Sequence, residues 1–149
     1  MPTPFENATL NLKLFDLRRE AVLRDARQWF LAEFNPESFA ELAAIAGGSR
    51  NAVFRMVLGY WDMAASLVTT GAIDGEAFRA AHGEIFLTFA KVYPFLNELR
   101  AASGEPDFCR HIETVVLDAA GAEAIMTRRR AAAIAAAKAR AANPPPQAS

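Results

Sequence analysis

Residues Ser49 to Ile73 read SRNAVFRMVLGYWDMAASLVTTGAI, the longest predominantly apolar stretch in the chain. Val53, Met56, Val57, Tyr60, Ala64, Leu67 and Val68 recur at three- and four-residue spacing, which is the period of a helix buried along one face. Trp61 and Met63 widen that face, so this helix is expected to be central. Ser49 is placed to cap its start, and Gly71 to end it in a left-handed conformation. Asp62 is the one carboxylate inside the run. It interrupts the apolar stretch, and the uninterrupted part after Asp62 is shorter than the ~20 residues a membrane span requires. Core, and no membrane span, is the reading.

Working outward toward the N-terminus, residues 1–10 contain Pro2, Pro4 and Asn7 and read as a flexible arm. Leu14, Leu17 and Ala21, with Phe15, Val22, Ala26, Trp29 and Phe30, predict one helix from about Asn11 to Phe34. Glu20 and Arg24 stand four apart on it in the favourable order. Asn35-Pro36 is a start signal for a short helix carrying Phe39, Leu42 and Ile45 and halting at Gly47-Gly48.

Toward the C-terminus, Asp74 caps a helix holding Phe78, Ile85, Phe86, Phe89 and Val92. Pro94 kinks it or divides it from the Phe95 to Leu99 segment. Pro106-Asp107 opens a further helix with Phe108, Ile112, Val115 and Val116, ending near Gly121. Residues 122–142 form an alanine-rich basic helix, and residues 143–149, ending in NPPPQAS, read as a disordered tail. No strand pattern occurs. The expected fold is all-α, an irregular bundle of five to seven helices in one domain over residues 11–121, a size suited to a single core.

The net charge of −1 conceals a division. All seventeen acidic residues lie at or before Glu123, against eleven Lys and Arg, whereas Arg128, Arg129, Arg130, Lys138 and Arg140 come after it with no acid among them. Such a tail can meet an anionic partner or fold onto its own acidic body. Arg128, Arg129 and Arg130 form a basic surface, but three adjacent residues fan over about 200° of a helix. No aromatic side chain accompanies them for base stacking, so nucleic acid is not the expected partner. A single cysteine, Cys109, excludes an intramolecular disulfide and a thiolate metal cage, and suits a reducing, cytoplasmic setting.

Few residues could carry chemistry. Asp62, with Tyr60 and Trp61 beside it, is the candidate ligand-binding group: a pocket carboxylate, or a structural hydrogen-bonding partner of a neighbouring helix. Arg55, seven residues earlier, lies on roughly the same face. His82 and Glu84 are two apart, as are Cys109 and His111, so each pair splays to different sides of its helix and no metal site is expected. No phosphate-binding glycine loop occurs, and neither a catalytic residue nor a cofactor is assigned.

From Met56 to Arg100, VLGYWDMAASLVTTGAID and then YPFLNELR resemble an uncharacterised bacterial family, a domain of unknown function of small all-helical proteins. Leu58, Tyr60, Trp61, Asp62, Gly71, Ile73 and Asp74 carry the resemblance; Gly59 stands where the family has asparagine. The resemblance implies a helical fold and bacterial origin and no activity. The leading functional expectation is a non-enzymatic module acting through protein–protein contact, as a homodimer, because thirteen Phe and Trp residues exceed what short helices conceal. The alternatives are a small-molecule-binding protein or enzyme with its pocket near Asp62, and a nucleic-acid-associated regulator using the basic helix.

Overall fold

The structure, a computed structural model, describes residues 1–146; the last residues of the expected disordered tail lie outside them. The described residues are all helical apart from turns. They form α1 (Pro4–Arg18), α2 (Ala21–Ala32), α3 (Phe39–Ala46), α4 (Asn51–Thr69), α5 (Gly75–Ala81), α6 (Glu84–Ala90), a 3-10 turn (Tyr93–Phe95), α7 (Leu96–Ser103), α8 (Arg110–Leu117) and α9 (Ala122–Ala142). That is more than five to seven, because two expected helices are each divided.

The first division falls at Glu20. Its backbone leaves the helical region at ψ 137°, and its carboxylate accepts the N–H groups of Val22 and Leu23 at 3.1 and 3.0 Å. Glu20 therefore caps α2 instead of pairing along one helix with Arg24, and those backbone hydrogen bonds hold its carboxyl below the ordinary range. The second division falls at His82-Gly83, well before Pro94. Pro94 sits at the start of the 3-10 turn, where no hydrogen bond is lost.

Several helix starts also differ from the sequence reading. α1 begins at Pro4, inside the stretch read as an arm, because Thr3 and Glu6 form a reciprocal capping box. α3 begins at Phe39 with Ser38 as its cap, while Asn35 donates its side-chain amide to Ala32 O at the end of α2. α4 begins at Asn51 with no side-chain cap, so Ser49 does not cap it. Asp74 does cap α5, accepting Ala77 N at 2.8 Å, and Gly71 ends α4 in the left-handed region at φ 81°.

α4 is central. It packs against α8, α2, α3 and α5, and Trp61 at its middle is fully buried. The aromatic-rich segment after Phe78 does not lie along α4 as a whole: α5 does, whereas α6 packs on α9 and α8. Phe30, Phe34 and Phe54 build an aromatic cluster between α2 and α4, with ring centroids 4.6 and 5.5 Å apart across Phe34. Only Phe5 and Phe15 among the phenylalanines are exposed. No described helix is long and apolar enough to cross a membrane.

Candidate functional site

Asp62 projects from α4 toward the first turn of α8. Its Oδ1 accepts the backbone N–H of His111 at 3.0 Å and of Ile112 at 3.1 Å. α8 needs this help. Its own N-cap residue, Cys109, forms no side-chain cap and is the one non-glycine residue with positive φ (58°) among the described residues. A thiol accepts hydrogen bonds poorly, so an anion supplied from another helix satisfies the free amides and suits the positive end of the helix dipole. Asp62 thus caps a helix fifty residues away in sequence. Cys109 is buried, and that burial pushes its thiol well above its ordinary range, with the Asp62 charge adding to the effect.

Tyr60 and Trp61 do not join Asp62. The Tyr60 hydroxyl donates to Leu14 O at 2.6 Å and so fastens α1 to α4; burial pushes its pKa up to about 12, against the nearby charges of Arg18 and Arg27. Trp61 faces the core beside His82, with ring centroids 6.1 Å apart. The carboxylate instead borders a groove of about 720 Å³ between α3, α4 and α7, which Arg55, Gly59 and Phe108 also line. Arg55 makes no ion pair among the described residues.

The other candidate groups are dispersed. His82, 1% exposed, hydrogen-bonds Asn11 Oδ1 through Nε2 at 2.9 Å, and burial drives its pKa down to about 4. Glu84 takes a forked interaction from Arg27, whose Nε donates to Oε1 at 2.7 Å. His111 Nδ1 lies 2.7 Å from the Thr69 hydroxyl. Among the described residues no three His, Cys, Asp or Glu side chains stand close enough together to hold a metal ion.

The basic segment lies on the body. Arg129 donates to Gly83 O at 2.7 Å, Arg130 to Pro36 O at 2.9 Å and Arg140 to Ala32 O at 2.7 Å, while Lys138 meets Glu37 at 2.8 Å. Arg129 and Arg130 also stand over the rings of Phe86 and Phe95. Of the three adjacent arginines, Arg128 alone makes no hydrogen bond or ion pair among the described residues. Sequence reasoning missed one partner in this arrangement. Lys91, 1% exposed, donates to Phe30 O and Leu31 O at 2.8 and 2.7 Å. With Arg140 it gives the last carbonyls of α2 three cationic hydrogen bonds, and burial, helped by the Arg140 charge, lowers its pKa to about 8. The signal was present: Lys91 is a lone cation within the apolar run Ile85 to Val92.

Residues 4–118 match the model of a domain of unknown function (DUF4760). The chain belongs to that family. No curated protein and no solved structure matched it. The DUF4760 segment contains α1 to α8, and therefore the groove, Asp62 and the Met56 to Arg100 resemblance; α9 with its arginines lies beyond it.

Proposed function

We propose that this DUF4760 chain is a non-enzymatic helical module that works by protein–protein contact and associates with a second copy of itself through α1. The observation that carries this reading is an uncovered apolar row. Phe5, Ala8, Leu12 and Phe15 recur at spacings of three, four and three on α1, and all four are exposed, Phe5 at 79%, Leu12 at 67% and Phe15 at 42%. The sector of α1 that meets the body holds Asn7, Leu10, Asn11 and Leu14; the row lies on the neighbouring sector. The apolar surface of α1 is thus wider than its own domain covers, which is the mark of an interaction surface.

A second copy suits this row. Its spacing reads the same in both directions, so two α1 helices laid antiparallel oppose phenylalanine to phenylalanine at both ends and Ala8 to Leu12 between. Glu6 and Asp16 offset Lys13 and Arg18 within α1, which limits like-charge repulsion, and Arg18 and Arg19 stand over the Phe15 ring at the end of the row. Two such faces bury roughly 1,000 Å² in total, the lower edge of stable interfaces, which suits a reversible dimer. A reducing cytoplasmic setting, supported by the lone buried Cys109, and a bacterial origin, supported by the resemblance, belong to the same proposal. Size-exclusion chromatography with light scattering across a concentration series tests it: a mass rising toward twice 16.2 kDa supports self-association, and a monomer throughout rejects it.

A further inference from the structure

Asn51, Arg55, Leu58, Gly59 and Asp62 succeed one another along α4 at helical spacing, and all five border the groove between α3 and α7. Its volume, about 720 Å³, lies within the ordinary range of small-ligand sites. Two features of this face have no explanation in the fold.

The first is Gly59. Glycine in the middle of a 19-residue helix weakens that helix relative to alanine. Usually a close neighbour requires it. Here a Cβ added at Gly59 would meet nothing within 4 Å, and φ is not positive. The missing side chain supplies only depth to the groove floor. The second is the other half of Asp62. Oδ1 accepts both amides of α8, whereas Oδ2 accepts no hydrogen bond among the described residues and is not sealed from solvent. One turn of helix therefore carries open apolar floor and a half-used carboxylate side by side.

Charge selects the ligand. Asp62, Glu105 and Asp107 border the groove against one cation, Arg55. Arg55 stands about two turns from Asp62 and makes no ion pair with it among the described residues. Asp107 meets Arg110 at 3.4 Å, which leaves Asp62 and Glu105 without a cationic partner among the described residues. Since no three of the groove's carboxylates gather closely enough to hold a metal ion, an organic cation fits better than a metal ion. The geometry points to a binding site for an organic ammonium ion with an apolar body: the ammonium on Asp62 Oδ2, the body over Gly59 between Phe39 and Leu99.

The test is calorimetric titration of the full chain with 4-phenylbutylammonium and, separately, with 4-phenylbutyrate, which has the same body and the opposite charge. The ammonium is expected to bind at least tenfold more tightly. Gly59→Leu fills the floor and is expected to raise the thermal midpoint while abolishing binding, because leucine is the better helix former and its Cβ meets nothing within 4 Å. Asp62→Asn retains a carbonyl oxygen to cap α8 and is expected to weaken ammonium binding at least tenfold with little change in the melt. Equal affinity for the two probes would overturn the charge assignment, and so would unchanged binding by Asp62→Asn. Undiminished binding by a folded Gly59→Leu would overturn the site, and an ammonium that does not bind at all would end the proposal.

Discussion

α1 and α9, the first and last helices, are attached to the same body by opposite means. α1 is rich in large apolar side chains and buries only Leu14 fully. Polar hooks reach it from the body: Tyr60 OH to Leu14 O, His82 to Asn11, and Asp74 N to Asn7 Oδ1 at 2.7 Å. α9 is mostly alanine, with little area to bury, yet it lies against α6, α2 and α8 and buries Met126. It sends its own hooks inward, arginines onto backbone carbonyls at the ends of other elements. Apolarity alone does not decide what is covered. α9 is held where its arginines reach carbonyls on the body, whereas the surplus apolar surface of α1 stays exposed.

Removing α9 breaks this contrast most severely. A chain ending at Gly121 loses the burial of Met126 and leaves Ala32 O, Pro36 O and Gly83 O without their arginines. A destabilisation of about 4 kcal/mol is expected by urea unfolding. Equal stability with and without α9 would mean that the arginine contacts are superficial.

Acid attacks the α1 attachment. His82 titrates at about 4 in the folded chain and at 6.5 unfolded. Between those values the unfolded chain binds the extra proton, so stability falls as pH falls through this window, by about 3 kcal/mol in full. Urea unfolding of the wild type and of His82→Gln at several pH values checks this. The variant should show the shallower slope, and parallel slopes would remove His82 from the account.

Asp62 lies outside both end helices and supplies a reference. Asp62→Ala removes the cap of α8 at an expected cost of about 1.5 kcal/mol, and Asp62→Asn costs less than half of that, since an amide oxygen still accepts. Gly59→Ala changes stability the other way, by about 0.5–1 kcal/mol in favour of folding. Thermal melts of the three variants rank these effects; a destabilising Gly59→Ala would show that the space above Gly59 is already filled.

The all-helical class was legible because helical periodicity runs through nearly the whole chain, and the Asp74 and Gly71 signals each act within a few residues of the backbone they fix. The extra divisions were not. Glu20 continues a helical pattern, and only its carboxylate turning back onto Val22 and Leu23 ends one helix and caps the next. Ser49 carries the right chemistry for a cap and is not used, because the turn before Asn51 forms without it. At the candidate site, Asp62 was legible as a residue requiring a partner. That the partner is the start of α8 depends on a contact across 49 and 50 residues, which periodicity does not encode. Tyr60 and Trp61 adjoin Asp62 in sequence and diverge in space because neighbours on a helix point about 100° apart. Lys91 escapes a periodicity reading for the same reason as its burial succeeds: its acceptors, the final carbonyls of α2, belong to a helix end sixty residues away.

Sedimentation equilibrium of the wild type beside Leu12→Glu tests the central claim, that the uncovered row of α1 is a contact surface. Leu12 is 67% exposed, so the substitution should leave folding stability within about 0.5 kcal/mol. The expected result is a wild type that dimerises reversibly and a variant that stays monomeric. Dimers of equal strength in both proteins would leave self-association standing and contradict the assignment to α1; a wild type that remains monomeric at every concentration would contradict the account as a whole.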